Sequence, residues 1–128
     1  MDFPDELKYS KEHIWVRVEN GSAVIGITDF AQEELGTVSG VELPDEGDEI
    51  EQDDSIGSIE AHKTVASLYA PFSGTVRSVN HEAMDNPELL NDDPYDGAWL
   101  VEVSLDDPEE LKNLLSADDY ADYIENRD

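Results

Sequence analysis

The sequence predicts a mainly β domain, a small sandwich or flattened barrel with short helices added, several of them at its C-terminal end. Three observations predict it. Short segments alternate between apolar and polar residues, turn-forming residues separate them, and helical periodicity is confined to brief stretches, chiefly after residue 106.

Taken in order, residues 13–18 set Ile14, Val16 and Val18 on one face and Trp15 on the other. Asn20-Gly21 then supplies a tight hairpin turn into a strand over 23–27. Asn20-Gly21-Ser22 also fits a glycosylation sequon and is read here as the turn. Thr28 can cap a short helix that passes Gln32 and Leu35 and stops at Gly36. Extended segments follow around 41–43 and 49–53. Two short strands, 56–60 and 65–69, fold about a turn with Lys63 at its apex, and 74–79 forms another strand. Asn86-Pro87 starts a helical turn, with Pro87 at the first helical position, where a missing N–H does no harm. Trp99, Val101, Val103 and Leu105 alternate with Leu100, Glu102 and Ser104 as a half-buried closing strand. Asp107-Pro108-Glu109-Glu110 then reads as cap, first-turn proline and acids at a positive helix end, with Leu111, Leu114 and Leu115 as the apolar face. A second short helix restarts at 116–119 and carries Tyr120, Tyr123 and Ile124 on one side.

A chain of 128 residues suits one domain over 1–128 with a real core. Its apolar runs are too short to span a membrane. The opening Met1-Asp2-Phe3-Pro4-Asp5-Glu6 is acidic and reads as neither a signal nor a transit peptide, so a cytoplasmic protein is expected. The absence of cysteine excludes a disulfide scaffold, a thiolate metal site and a cysteine nucleophile. Seven basic residues against thirty-three acids leave a net charge of −26, a poor match for nucleic acid. These acids run through every segment instead of forming one tail, and lysine is scarce. Composition therefore favours a surface adapted to high salt over an interaction tail or a nucleic-acid mimic.

Lys63 stands out among only four lysines, because a lone cation at a hairpin tip packs against little and is easily grasped and acylated. Gly47 lies sixteen residues before it (63−47), Gly74 eleven after it (74−63), and Glu60 three ahead. This pattern resembles a lipoyl-attachment motif, in which glycines turn the chain on either side of a modified hairpin lysine. Further blocks narrow the resemblance: Tyr9-Ser10-Lys11-Glu12-His13-Ile14-Trp15-Val16, then Ile25-Gly26-Ile27-Thr28-Asp29-Phe30-Ala31-Gln32 with Gly36. Val41-Glu42-Leu43-Pro44 with Gly47-Asp48, and Asn91-Asp92-Asp93-Pro94-Tyr95 with Gly97 and Trp99-Leu100, complete it. From about Leu7 to Ile124 the chain resembles the H proteins of the glycine cleavage system.

That resemblance implies a barrel-sandwich hybrid fold of the lipoyl and biotinyl type and a carrier that is not itself an enzyme. It implies lipoate joined to Lys63 by a lipoate-attaching enzyme. Biotin is the rival cofactor, but biotin carriers usually set their lysine between methionines, whereas Lys63 lies between His62 and Thr64. In the family, P protein (glycine decarboxylase) loads the aminomethyl group of glycine onto the arm. T protein (aminomethyltransferase) unloads it to tetrahydrofolate, and L protein (dihydrolipoyl dehydrogenase) reoxidises the arm. A cleft near the opening and hairpin segments shelters the loaded arm. Here the sequence departs from the pattern: Ile14 stands where Glu is usual, Ser67 where Asp or Glu is frequent, and His62 where a small apolar residue is usual.

A monomer is expected. Glu60 is either a recognition element for the attaching enzyme or one more surface acid. His13, His62 and His81 lack metal-ligand spacing, so no metal is expected and structural or surface roles are favoured, with His62 set apart by its place next to Lys63. The run 92–97 faintly resembles a calcium loop, but Pro94 and Val103 stand where it needs ligands. Two other functions remain open: an H-like relay that donates lipoyl groups to other enzymes, and an unmodified acidic interaction protein.

Overall fold

The computed structural model describes residues 3–62 and 64–126. Its strands are β1 (Lys8–Tyr9), β2 (Ile14–Glu19), β3 (Ser22–Ile27), β4 (Val38–Glu42), β5 (Glu49–Ile50), β6 (Ser55–Ala61), β7 (Val65–Tyr69), β8 (Gly74–Val79) and β9 (Val101–Leu105). The helices are α1 (Asp29–Leu35), α2 (His81–Asp85), α3 (Leu89–Asp92) and α4 (Ala117–Glu125), with a 3-10 helix at Pro108–Asn113. Two antiparallel sheets result, one of six strands in the order β1-β2-β3-β9-β8-β5 and one of three in the order β4-β6-β7.

The predicted strands 65–69 and 74–79 match β7 and β8, and Thr28 and Gly36 bound α1 as cap and stop. The left-handed conformation in the first hairpin falls on Gly21, with φ 71°. Ser116 caps α4 through a bond from the Asp119 N–H, and Asp107 caps the 3-10 helix through one from Glu109. Helix α2 falls where no element is predicted. Pro87 lies in the turn just ahead of α3 instead of opening the helix.

Between the sheets lies the main core, where Ile14, Val16, Ile25, Val76 and Val103 of the larger sheet face Val38, Ile59 and Leu68 of the smaller. Leu100, expected on the solvent side of the closing strand, is fully buried, and its N–H donates to the Ile25 carbonyl at 2.8 Å. A second cluster forms on the opposite face of β2 and β3. Trp15 is the centre of that side, joined by Leu7, Tyr9, Val24, Ala117 and Tyr120. Its Nε1–H donates to the Pro94 carbonyl at 2.8 Å. Gly26 pairs with Trp15, and a Cβ on it would come within 2.6 Å of the indole, so glycine is required there. The C-terminal helix is thus part of the packing: Tyr9 and Tyr120 stack at 4.8 Å.

Gly74 serves a close approach and not a turn. A Cβ on it would collide with the Ser104 carbonyl oxygen of β9 and lie 2.7 Å from Val103 Cγ1. Backbone on the far side of a ladder moves only at cost, so Gly74→Ala is expected to destabilise by about 3 kcal/mol, the upper range for overpacking. Urea unfolding of the two proteins measures the difference. Gly47, by contrast, does turn the chain, with φ 92° and its N–H donating to the Val76 carbonyl at 2.8 Å.

Candidate functional site

Strands β6 and β7 form a regular hairpin, with Ile59 opposite Ala66 and Glu60 opposite Val65. Where they meet, the Ala61 N–H donates to the Thr64 carbonyl at 2.9 Å. Lys63 lies outside the described residues; the residues on both sides of it are held by this ladder. Glu60 is exposed, and its side chain runs over β4 at Gly40, where an added Cβ would stand 3.1 Å from a carboxylate oxygen. His62 is exposed.

Beside the hairpin opens a cleft of about 210 Å³. Ile14, Ile27, Ile59 and Leu68 line its depth, and Phe30, Ala31 and Leu35 of α1 form one wall. Ala66 and Ser67 of β7 form another, and Glu12, His13 and Glu34 complete the lining. Ile14 and Ser67, two of the three departures from the family pattern, thus sit in the same cleft. Its surroundings are braced: the Asn91 side chain accepts the Val38 N–H at 2.9 Å and donates to the Gly36 carbonyl at 2.8 Å, fixing the end of α1.

An octanoyl-length arm with an apolar ring suits such a place. Apolar walls would take the ring, and the polar lining would face whatever the ring carries.

Of the other histidines, His81 is exposed on α2, and His13 is half-buried, its Nδ1 2.8 Å from the Tyr120 hydroxyl. Among the described residues no group of three or more His, Asp or Glu side chains could hold a metal ion. Asp93 turns its carboxylate onto the Gly97 N–H at 3.0 Å, so the run 92–97 is a self-closed loop. The Tyr120 contact went unseen in the sequence, where this tyrosine reads as one member of an apolar helix face.

Residues 7–127 match the family model described as glycine cleavage H-protein. The chain belongs to that family. It is 53% identical over 124 residues to the glycine cleavage system H protein of Staphylococcus carnosus, covering 97% of this chain and 98% of that one. Against the H protein of Halalkalibacterium halodurans it is 53% identical over 123 residues, covering 96% of each. A crystal structure of a glycine cleavage system H protein from Mycobacterium marinum superposes with a TM-score of 0.85 at 32% identity, covering 96% of this chain and 99% of the other. The fold is therefore the lipoyl-type β-sandwich expected. No helix among the described residues is long and apolar enough to cross a membrane.

Proposed function

We propose that this chain, as one domain over 1–128, is the lipoyl-carrying shuttle of a glycine cleavage system, with lipoate held in amide linkage on Lys63. It is a carrier and not a catalyst. What supports the site assignment is the sequence position of Lys63, between Ala61 and Thr64, whose backbone bond closes a hairpin that borders an apolar cleft. When bound, the lipoyl group supplies a cyclic disulfide that takes up the aminomethyl unit and the electrons.

Everything else is tethering, orientation and shelter by the chain itself. An arm tethered to the chain at one lysine reaches partner active sites at a high local concentration. The chain has no cysteine, so no internal thiol can attack the arm's disulfide by exchange. P protein, T protein and L protein are its partners, and a lipoate-attaching enzyme supplies the modification. A monomer in the cytoplasm suits this shuttling.

Lipoylated protein mixed with P protein, pyridoxal phosphate and glycine is expected to support exchange of the glycine carboxyl carbon with bicarbonate. Ile14 and Ser67, both uncharged in the cleft, favour one second reading, a lipoate relay. Inactivity of the lipoylated chain with its cognate P protein would make the relay the better account.

The net charge of −26 is assigned to a high-salt setting. Its acids repel one another in dilute buffer, where the screening length is roughly 30 Å at 0.01 M, and far less near 1 M, where it is roughly 3 Å. The thermal midpoint should therefore rise along a potassium chloride series, and potassium sulfate should raise it further at equal ionic strength. Circular dichroism reads both, and a midpoint indifferent to salt would return the acids to a partner-binding role.

A further inference from the structure

Tyr120 is not part of the cleft lining, yet its hydroxyl is where two of the elements enclosing the cleft meet. Its oxygen lies 2.8 Å from His13 Nδ1 and 2.9 Å from Thr28 Oγ1. His13 stands in the turn that brings Glu12 and Ile14 to the cleft, with φ 68°, a left-handed value that must be held in place by its surroundings. Thr28 caps α1, which carries Phe30 and Ala31 of the cleft wall, and its Oγ1 accepts the Ala31 N–H at 3.2 Å. His13 also packs its ring on Phe30 at 4.9 Å.

The chain of bonds has a preferred direction. Thr28 is fully buried and already accepts from Ala31, so its own proton must be given away. If Thr28 donates to Tyr120 and Tyr120 donates to His13 Nδ1, both hydroxyl protons have an acceptor, and the imidazole keeps its proton on Nε2. The reverse direction would put a proton on Nδ1 and make Tyr120 donate to Thr28. It would leave the buried Thr28 proton without an acceptor among the described residues.

We propose that Tyr120 is a positioning residue for the carrier's cleft. Its hydroxyl holds His13 as the Nε2–H tautomer and clamps the turn at 12–14 to the start of α1, so that the loaded end of the arm meets a closed pocket. This rests on reading the cleft as the shelter of the arm.

The test compares the lipoylated full-length chain with Tyr120→Phe, which keeps the ring and its stack on Tyr9 and removes only the hydroxyl. Thr28→Ser keeps the hydroxyl chain and serves as the conservative control. With 15N-labelled histidine at pH 8, the wild type and Thr28→Ser should show His13 Nδ1 as the bare, accepting nitrogen. Tyr120→Phe should show mixed tautomers. Each protein is then charged with glycine through P protein, freed of P protein and left without T protein. Water breaks the carbon–sulfur bond: arm–S–CH2–NH3+ and H2O give arm–SH, formaldehyde and ammonium. Formaldehyde release should be about fivefold faster in Tyr120→Phe, the scale of one lost hydrogen bond, and unchanged in Thr28→Ser.

An unaltered His13 tautomer in Tyr120→Phe would overturn the proposal. So would a lower unfolding midpoint with formaldehyde release still at the wild-type rate, since that marks a structural role only. Wild-type protein that releases formaldehyde as fast as charged lipoamide free in solution would remove the shelter reading itself, and the proposal with it.

Discussion

Lys63→Arg should abolish both lipoylation and the exchange of glycine carboxyl carbon with bicarbonate, leaving a folded chain. The loss should be complete, because nothing else in the molecule can stand in. Arginine keeps the positive charge but presents a delocalised guanidinium that stays protonated and is not acylated under the same conditions. The chain has no cysteine, so no other thiol can take up the aminomethyl unit. Lys8, Lys11 and Lys112 are no substitutes: Lys8 is in β1, Lys11 lies over the Tyr123 ring at 5.7 Å, and Lys112 pairs with Glu109 at 2.7 Å. Circular dichroism should be unchanged, since the ladder on both sides of residue 63 is made by other residues. Peptide mass spectrometry and the exchange assay check the two halves. Residual lipoylation of the variant would move the site elsewhere.

Trp15→Ala should cost about 3–5 kcal/mol, the range for deleting a large buried aromatic, against a total of about 5–15 kcal/mol for a domain. Trp15 is fully buried, fills the space that Gly26 leaves, and satisfies the Pro94 carbonyl. It also anchors the cluster that seats α4, so its loss loosens Tyr9 and Tyr120 as well. An unfolding midpoint lower by on the order of 10 °C is expected by circular dichroism. The hairpin belongs to the other sheet, so lipoylation below that midpoint should persist. Loss of modification in the folded variant would tie the attachment site to the Trp15 side.

The contrast between these two residues follows what the sequence makes legible. Strands 65–69 and 74–79 are readable because alternation is a local signal, and so are the caps Thr28, Asp107 and Ser116. Trp15 reads only as the other face of a strand. Its long-range partners are the Tyr95 ring and the Pro94 carbonyl, about eighty residues away, and no local pattern encodes those contacts. Leu100 shows the same limit: alternation predicts one wet face, but the residue precedes β9 where the chain crosses the core and donates to Ile25. Gly74 is readable as a required glycine but not for its reason, since the obstacle is a carbonyl on β9. The lining of the cleft was partly visible, because Ile14 and Ser67 depart from the family pattern. Phe30, Ile59 and Leu68 look like ordinary core positions, and only the fold shows that they border a gap.

The most direct measurement is an intact mass of the native protein, followed by peptide mapping. The account predicts a single amide-linked lipoyl adduct on Lys63, within the peptide bounded by Glu60 and Tyr69. A native protein made in a lipoate-replete cell that carries no adduct, or carries it on Lys8, Lys11 or Lys112, would contradict it.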